Sequence, residues 1–118
     1  MSVNPSQVLR APHTVAVAPT ETTIESFTRL ELRTASRVTV QVYNANALQT
    51  FAGIIYAKQT SMSEFAVYDD VTLASVGPLI SKQVVIDTLG IDLLEFRGRQ
   101  SGAGGDVQTG TTRVSNSP

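Results

Sequence analysis

The chain has 118 residues, enough for one domain, and 42% of them are hydrophobic, so a core can form without covalent support. The absence of cysteine excludes disulfide bonds, thiolate metal ligands and cysteine nucleophiles. A formal net charge of −1 disfavours a protein that binds nucleic acid by neutralising phosphates, and no apolar run reaches the roughly 18 residues of a membrane span.

Residues 1–12 contain Pro5 and Pro12 and predict an extended N-terminal arm rather than an element with its own core. An arm of this kind becomes ordered when contacts with a partner outweigh its loss of entropy. The candidate anchors for such a contact are Val3, Val8, Leu9 and Arg10. The alternative is a terminus that contacts nothing. Residues 13–118 are expected to form a single folded domain.

Three strands are predicted in the first half of that domain. Residues 14–18 form a short apolar segment between two prolines. Residues 29–33 alternate leucines with charged residues, which predicts a strand with its leucines turned inward. In residues 37–43 three valines alternate with polar neighbours, again with one face buried. Because only residues 34–36 separate these last two segments, we expect them to pair as a hairpin.

Five more strands and a packed loop are predicted in the second half. Residues 50–58 follow turn-forming asparagines, and Gly53 within them marks a bulge or a close crossing. Residues 71–78 lack a clear period and predict a packed loop with at most one helical turn. The glycine-rich residues 102–105 predict a hairpin loop before the last strand. The other predicted strands are 64–69, 82–88, 92–98 and 107–115.

Eight short strands, separated by turn signals about every 8 to 12 residues, are typical of an antiparallel β-sandwich. No helical pattern longer than two turns is present in the sequence. We therefore predict an all-β protein, an antiparallel β-sandwich that is jelly-roll-like or immunoglobulin-like, with the N-terminal arm extending from it.

Few residues carry the side chains that catalysis or metal binding requires. His13 is the single histidine, so we expect it to be exposed or locally hydrogen-bonded rather than part of a metal site or a nucleophile pair. Asp69 and Asp70 would suit a calcium site or an acid–base pair. Because adjacent residues of a strand point to opposite faces and aspartate favours turns, a turn is the preferred interpretation.

The C-terminal half adds no convergent set. Its further acidic residues are Asp87, Asp92 and Glu95, which the strand pattern places apart. The glycines at 102–105 lack the lysine and the following helix of a phosphate-binding loop. Arg97 and Arg99 share one strand face and are candidates for binding an anion or a partner carboxylate, the alternative being a solvated face. We therefore expect a binding or structural module, not an enzyme, with no cofactor and no metal.

Three segments carry a resemblance to a known family. They are FTRLELRTASRVTVQVYNANALQTFAGIIYA (27–57), VVIDTLGIDLLEFRGRQSGAGG (84–105) and DVQTGTTRVS (106–115). Their strand pattern, glycine-rich loop and threonine-rich last strand resemble small β-sandwich virion proteins of tailed bacteriophages. The resemblance covers roughly residues 22–115, and the segment 1–12 is similar to the terminal arm with which such proteins contact a capsid.

This resemblance implies a capsid decoration or cement protein, which sits on the outside of the phage head, commonly as a trimer, and bridges subunits of the major capsid protein. The expected location is then the capsid surface of a virion that is assembled in the host cytoplasm. One alternative is a head–tail connector or tail-tube protein. Another is a carbohydrate-binding, adhesin-type sandwich, which needs exposed aromatic rings to stack on sugars, whereas the chain offers only Tyr43, Tyr56 and Tyr68 and no tryptophan.

Overall fold

Two four-stranded antiparallel sheets form the protein in the computed structural model, which describes residues 7–32 and 35–115. Sheet A has the order β1-β8-β3-β6 and sheet B the order β2-β7-β4-β5. The strands of sheet A are β1 (Gln7–Val17), β3 (Ala35–Asn44), β6 (Ser81–Asp87) and β8 (Gly105–Ser115). Those of sheet B are β2 (Thr22–Phe27), β4 (Phe51–Lys58), β5 (Ala66–Asp69) and β7 (Leu93–Gln100).

The connections decide between the two predicted types of sandwich. Only the β4–β5 connection stays within one sheet, and every other described connection crosses from one sheet to the other. This double Greek-key arrangement is the eight-stranded jelly roll. The all-β sandwich prediction is therefore confirmed, in its jelly-roll form.

Alternating side chains form the core between the sheets, as the sequence pattern predicts. On β3 the valines at 38, 40 and 42 are fully buried, and on β8 Val107, Thr109 and Thr111 face the same interior. Sheet B contributes four aromatic or aliphatic anchors from β4 and β7: Phe51, Ile55, Leu94 and Phe96. The rings of Phe51 and Phe96 pack edge to face, 6.0 Å apart.

Two glycines make room for these rings. A Cβ atom on Gly98 would lie 2.4 Å from the Phe51 ring, and one on Gly53 would lie 2.9 Å from both phenylalanines. The predicted close crossing at Gly53 is confirmed. The predicted packed loop 71–78 is also confirmed, because Leu73 and Val76 are buried and Val76 forms an isolated bridge with Phe51.

The strand predicted at 29–33 is wrong. Arg29–Leu32 form α1, one helical turn, in which Leu32 is buried but Leu30 is 73% exposed. Thr28 and Glu31 form a capping box, since the Thr28 backbone N–H donates to Glu31 Oε1 (3.1 Å) and the Glu31 N–H donates to Thr28 Oγ1 (3.4 Å). The predicted hairpin is therefore absent: β3 pairs with β8 and β6 instead. The strand β2 was not predicted.

The structure also differs from the predicted boundary at residue 12. Residues 7–12 belong to β1, which pairs with β8 from Gln7 opposite Arg113 to Val17 opposite Gly105. Two register shifts interrupt this pairing, one between Val8 and Arg10 and one between Arg10 and His13. These irregularities accommodate Pro12, which donates no backbone hydrogen bond, at the edge of the sheet. Residues 1–6 of the predicted arm, with Val3, lie outside the described residues.

The glycine-rich segment is not a hairpin loop. It carries the chain from β7 in sheet B to β8 in sheet A, with Gly102 (φ 62°) and Gly104 (φ 88°) in left-handed conformations. The Asn46 side chain donates a hydrogen bond to the Gly104 carbonyl (3.3 Å). The loop thus closes one end of the sandwich.

Candidate interaction surfaces

An apolar groove of about 600 Å³ opens on one side of the sandwich, where β5 and β6 form the outer edges of the two sheets. Several of its lining side chains are large, apolar and exposed: Met62 (57%), Val67 (51%), Tyr68 (41%) and Leu89 (81%). We call this groove the edge groove. Contiguous exposed apolar side chains of this kind mark interaction surfaces.

Polar contacts hold the walls of the edge groove in place. The Tyr68 hydroxyl accepts a hydrogen bond from the Asp87 backbone N–H (3.0 Å), which ties β5 to the end of β6. The backbone N–H and the hydroxyl of Thr60 both donate to Asp92 Oδ2 at 2.9 Å, which fixes the loop that carries Met62. These two hydrogen bonds lower the pKa of Asp92.

Charged residues close the opposite side of the sandwich, between β1 and β2. Arg10 NH1 donates to Glu31 Oε2 (2.7 Å), and Arg10 Nε lies 3.4 Å from Glu25 Oε2. His13 Nε2 lies 2.8 Å from Oε1 of the buried Glu25. The Arg10 guanidinium lies 4.9 Å from the centre of the Phe27 ring. These ion pairs lie within the chain and join the two sheets, and we call this group of residues the polar seam.

Changing Glu31 to glutamine tests the seam. The hydrogen bond from Arg10 lowers the pKa of Glu31 despite its partial burial, so the charged form stabilises the fold above the ordinary glutamate pKa of about 4.3. We expect E31Q to lower the free energy of unfolding by about 0.2–1 kcal/mol at pH 7. The difference should vanish as the pH falls below the folded-state pKa of Glu31.

Urea denaturation at pH 7 and in steps down to pH 3 measures this difference. The matched control is E64Q, because Glu64 is an exposed glutamate on the other side of the sandwich. A deficit of E31Q that persists unchanged in acid would mean that the carboxylate charge does not contribute.

On the outer face of sheet B, aromatic rings and carboxylates surround Arg97. Its guanidinium lies 4.1 Å from the centre of the Tyr56 ring and 5.6 Å from that of Phe65. It also pairs with Glu95 and lies 3.8 Å from Glu21. Arg99 shares this outer face and is exposed. Of the two arginines predicted to share this strand face, Arg97 is thus engaged within the chain, while Arg99 faces solvent.

The other predicted site residues fall in different places. In β1, Val8 is 66% exposed, Leu9 packs against the core and Arg10 belongs to the polar seam. His13 is exposed and its Nδ1 lies 2.9 Å from the Ala11 carbonyl, as predicted, although the sequence did not indicate its contact with Glu25.

Asp69 stabilises a turn, as predicted. Asp69 accepts hydrogen bonds from the backbone of Val71 and from the backbone and hydroxyl of Thr72, at 2.7–2.9 Å. Burial alone would raise the pKa of Asp69, but these hydrogen bonds outweigh it and lower this pKa. Asp87, Asp92 and Glu95 have separate partners. Across residues 7–32 and 35–115, no three His, Asp or Glu side chains lie close enough together to hold a metal ion.

The sequence pattern missed the edge groove because its residues come from loops and an edge strand with no shared period. The signal available in the sequence was Leu89, an apolar residue beside Gly90, in a turn where polar residues are usual. Nowhere in the described part of the chain is there a helix with the length and apolar character needed to span a membrane.

Comparison with known proteins identifies similar folds but no family. Neither a family model nor a curated protein sequence matches the chain. Among solved structures, the SPBc2 prophage-derived protein YomS matches with a TM-score of 0.59 at 14% identity, over 98% of this chain and 99% of YomS. The Bacillus endospore appendages, described as disulfide-linked pili, match with a TM-score of 0.54 at 10% identity, over 99% of this chain and 96% of theirs.

A chain from the infectious bursal disease virus Gx strain also matches, with a TM-score of 0.54 at 11% identity. The match covers 92% of the protein described here but only 30% of the viral chain. The protein therefore has a β fold that also occurs in prophage and virus proteins. At these identities the likeness concerns the fold alone.

Proposed function

We propose that the chain is a structural protein of a phage or phage-derived particle, a capsid decoration or cement subunit that binds the major capsid protein and bridges its copies on the outside of the head. The observation that carries this proposal is the edge groove, an exposed apolar surface on a fold that a prophage-derived protein shares over its whole length. The subunit is proposed to act as a homo-oligomer, with a trimer favoured.

The composition of the edge groove supports a protein partner. Its lining combines the apolar side chains of Met62, Val67 and Leu89 with the charged residues Lys58, Glu64 and Asp87. Protein interfaces usually combine apolar side chains with polar and charged ones. The strand β5 is only four residues long and pairs on one side only, so a docked partner would also cover the open edge of sheet B.

Aspartate in place of the exposed leucine tests this assignment. We expect L89D to weaken binding to native particles by about tenfold or more, because it places a charge within a dry interface. Leu89 is 81% exposed, so its replacement should leave the fold intact. The matched control is L48D, since Leu48 is equally exposed (85%) in the loop between β3 and β4. Co-sedimentation with particles stripped of the protein measures binding.

Unchanged binding of L89D would remove the edge groove from the proposed contact. An equal loss in L48D would show that the effect is one of charge or solubility rather than of position.

A second candidate, a subunit of a tube or ring such as a tail tube or head–tail connector, is favoured by the match to the pilus-forming endospore appendages over nearly all of both chains. A decoration trimer closes after three copies, a connector ring closes after a larger number, and a tube continues along its axis. Measurement of the particle mass in solution, followed by electron microscopy of any larger assembly, distinguishes the two.

A further inference from the structure

A second groove, of about 220 Å³, lies on the outer face of sheet A and shares no lining residue with the edge groove. Its floor is Gly110, which pairs with Gln41 of β3 on one side of β8 and lies beside Pro12 of β1 on the other. A Cβ atom at position 110 would lie 3.3 Å from Pro12 atoms. The missing side chain at Gly110 and the irregular path of β1 together form this depression, which we call the sheet groove.

Uncharged hydrogen-bonding groups surround the floor. Tyr43 stands opposite Gln108 in the pairing of β3 with β8, and Gln41 stands opposite Gly110. Thr112 follows Gly110 on the same face of β8 and also lines the groove. Amide and hydroxyl side chains donate and accept hydrogen bonds. The Tyr43 ring adds a flat apolar face whose negative charge density attracts the C–H groups of a ligand.

The sheet groove offers no unpaired charged side chain to an ionic ligand. Arg10 is the one charged residue among the described residues that line it. Its guanidinium is already paired with Glu31 at 2.7 Å and lies 3.4 Å from Glu25. A phosphate or carboxylate ligand would have to compete with these two carboxylates, so the lining favours a neutral ligand.

The size and polarity of the groove narrow the ligand class further. Its volume is below the roughly 300–1,000 Å³ of sites for drug-sized molecules, which suits a unit of about one ring. Val8, Pro12 and the Tyr43 ring give the groove apolar surface beside the hydrogen-bonding side chains, and a sugar ring has both C–H groups and hydroxyls to match them. We infer that the sheet groove binds a neutral sugar residue of a carbohydrate chain, which stacks on Tyr43 and is hydrogen-bonded by Gln41, Gln108 and Thr112.

Titration of the isotope-labelled full chain with three neutral disaccharides, lactose, maltose and cellobiose, tests the inference by NMR. We expect at least one of them to shift backbone amide signals of residues 41–43 and 108–112. The substitution Y43A should weaken this binding by about tenfold, since it removes the stacking surface. The matched control is Y68A, which removes an exposed tyrosine from the edge groove and should leave sugar binding unchanged.

Three results would overturn the inference: no shift with any of the three sugars, shifts that map to another surface, or equal binding by Y43A and the native chain. The amide spectrum of each variant reports whether it is folded, and T112V serves as a second, smaller change if Y43A is not. Since L89D acts on the edge groove, a variant that loses particle binding but keeps sugar binding separates this inference from the proposed function.

Discussion

Replacing Phe96 with alanine is expected to lower the free energy of unfolding by about 3–5 kcal/mol. Phe96 is fully buried on β7 and packs edge to face against Phe51. Removing its ring leaves a cavity between the sheets, beside the glycines at 53 and 98 that exist to accommodate the two rings. Because natural domains are stable by about 5–15 kcal/mol, this single change should remove a large part of the total.

Equilibrium urea denaturation measures the loss. The control is F65A, since Phe65 is a partly exposed phenylalanine on the outer face of sheet B, and we expect it to cost about 1 kcal/mol or less. If F96A does not fold, F96L keeps most of the volume and should cost less than about 1.5 kcal/mol. A loss below about 1 kcal/mol for F96A would contradict the inward placement of this side chain.

Replacing Asn44 with alanine is expected to lower the free energy of unfolding by about 2–4 kcal/mol, because it leaves several polar groups without partners. Asn44 is fully buried at the end of β3. Its Nδ2 group donates to the carbonyls of Gln49 (2.8 Å) and Val76 (3.0 Å), and its Oδ1 accepts from the buried Gln100 side chain (3.1 Å). This one side chain thereby joins β3, β7 and two loops at one end of the sandwich.

Two further variants make this test specific. N44D keeps the size of the side chain but directs carboxylate oxygens at carbonyl oxygens, so we expect it to be destabilised at least as strongly as N44A at pH 7. Q83A is the control, because Gln83 is an exposed amide on β6, and its effect should stay within about 0.5 kcal/mol. Stability of N44A within the same margin would show that water or a rearranged loop replaces the amide.

Errors in the predicted strands trace to identifiable local features. The strand β2 was missed because a register shift between Thr23 and Glu25 breaks the alternation that marks a strand. The start of β1 was assigned to an arm for the same reason, since two register shifts and Pro12 interrupt its pattern. The alternation in residues 29–33 was misleading, because the Thr28–Glu31 capping box stabilises a helical turn there.

The alternating valines of β3 and the apolar residues of β4 and β7 determined by themselves that this chain forms two β layers around one core, because side chains of a strand alternate between its faces. Only the tertiary structure decided the order of the strands, since every pairing except β4–β5 joins strands that are not consecutive in the chain, as β1 and β8 are not. The same reason applies to both grooves. Met62 and Leu89 line one groove although they are far apart in the chain, and Pro12 lies beside Gly110 because β1 pairs with β8, so neither arrangement is encoded in a local pattern.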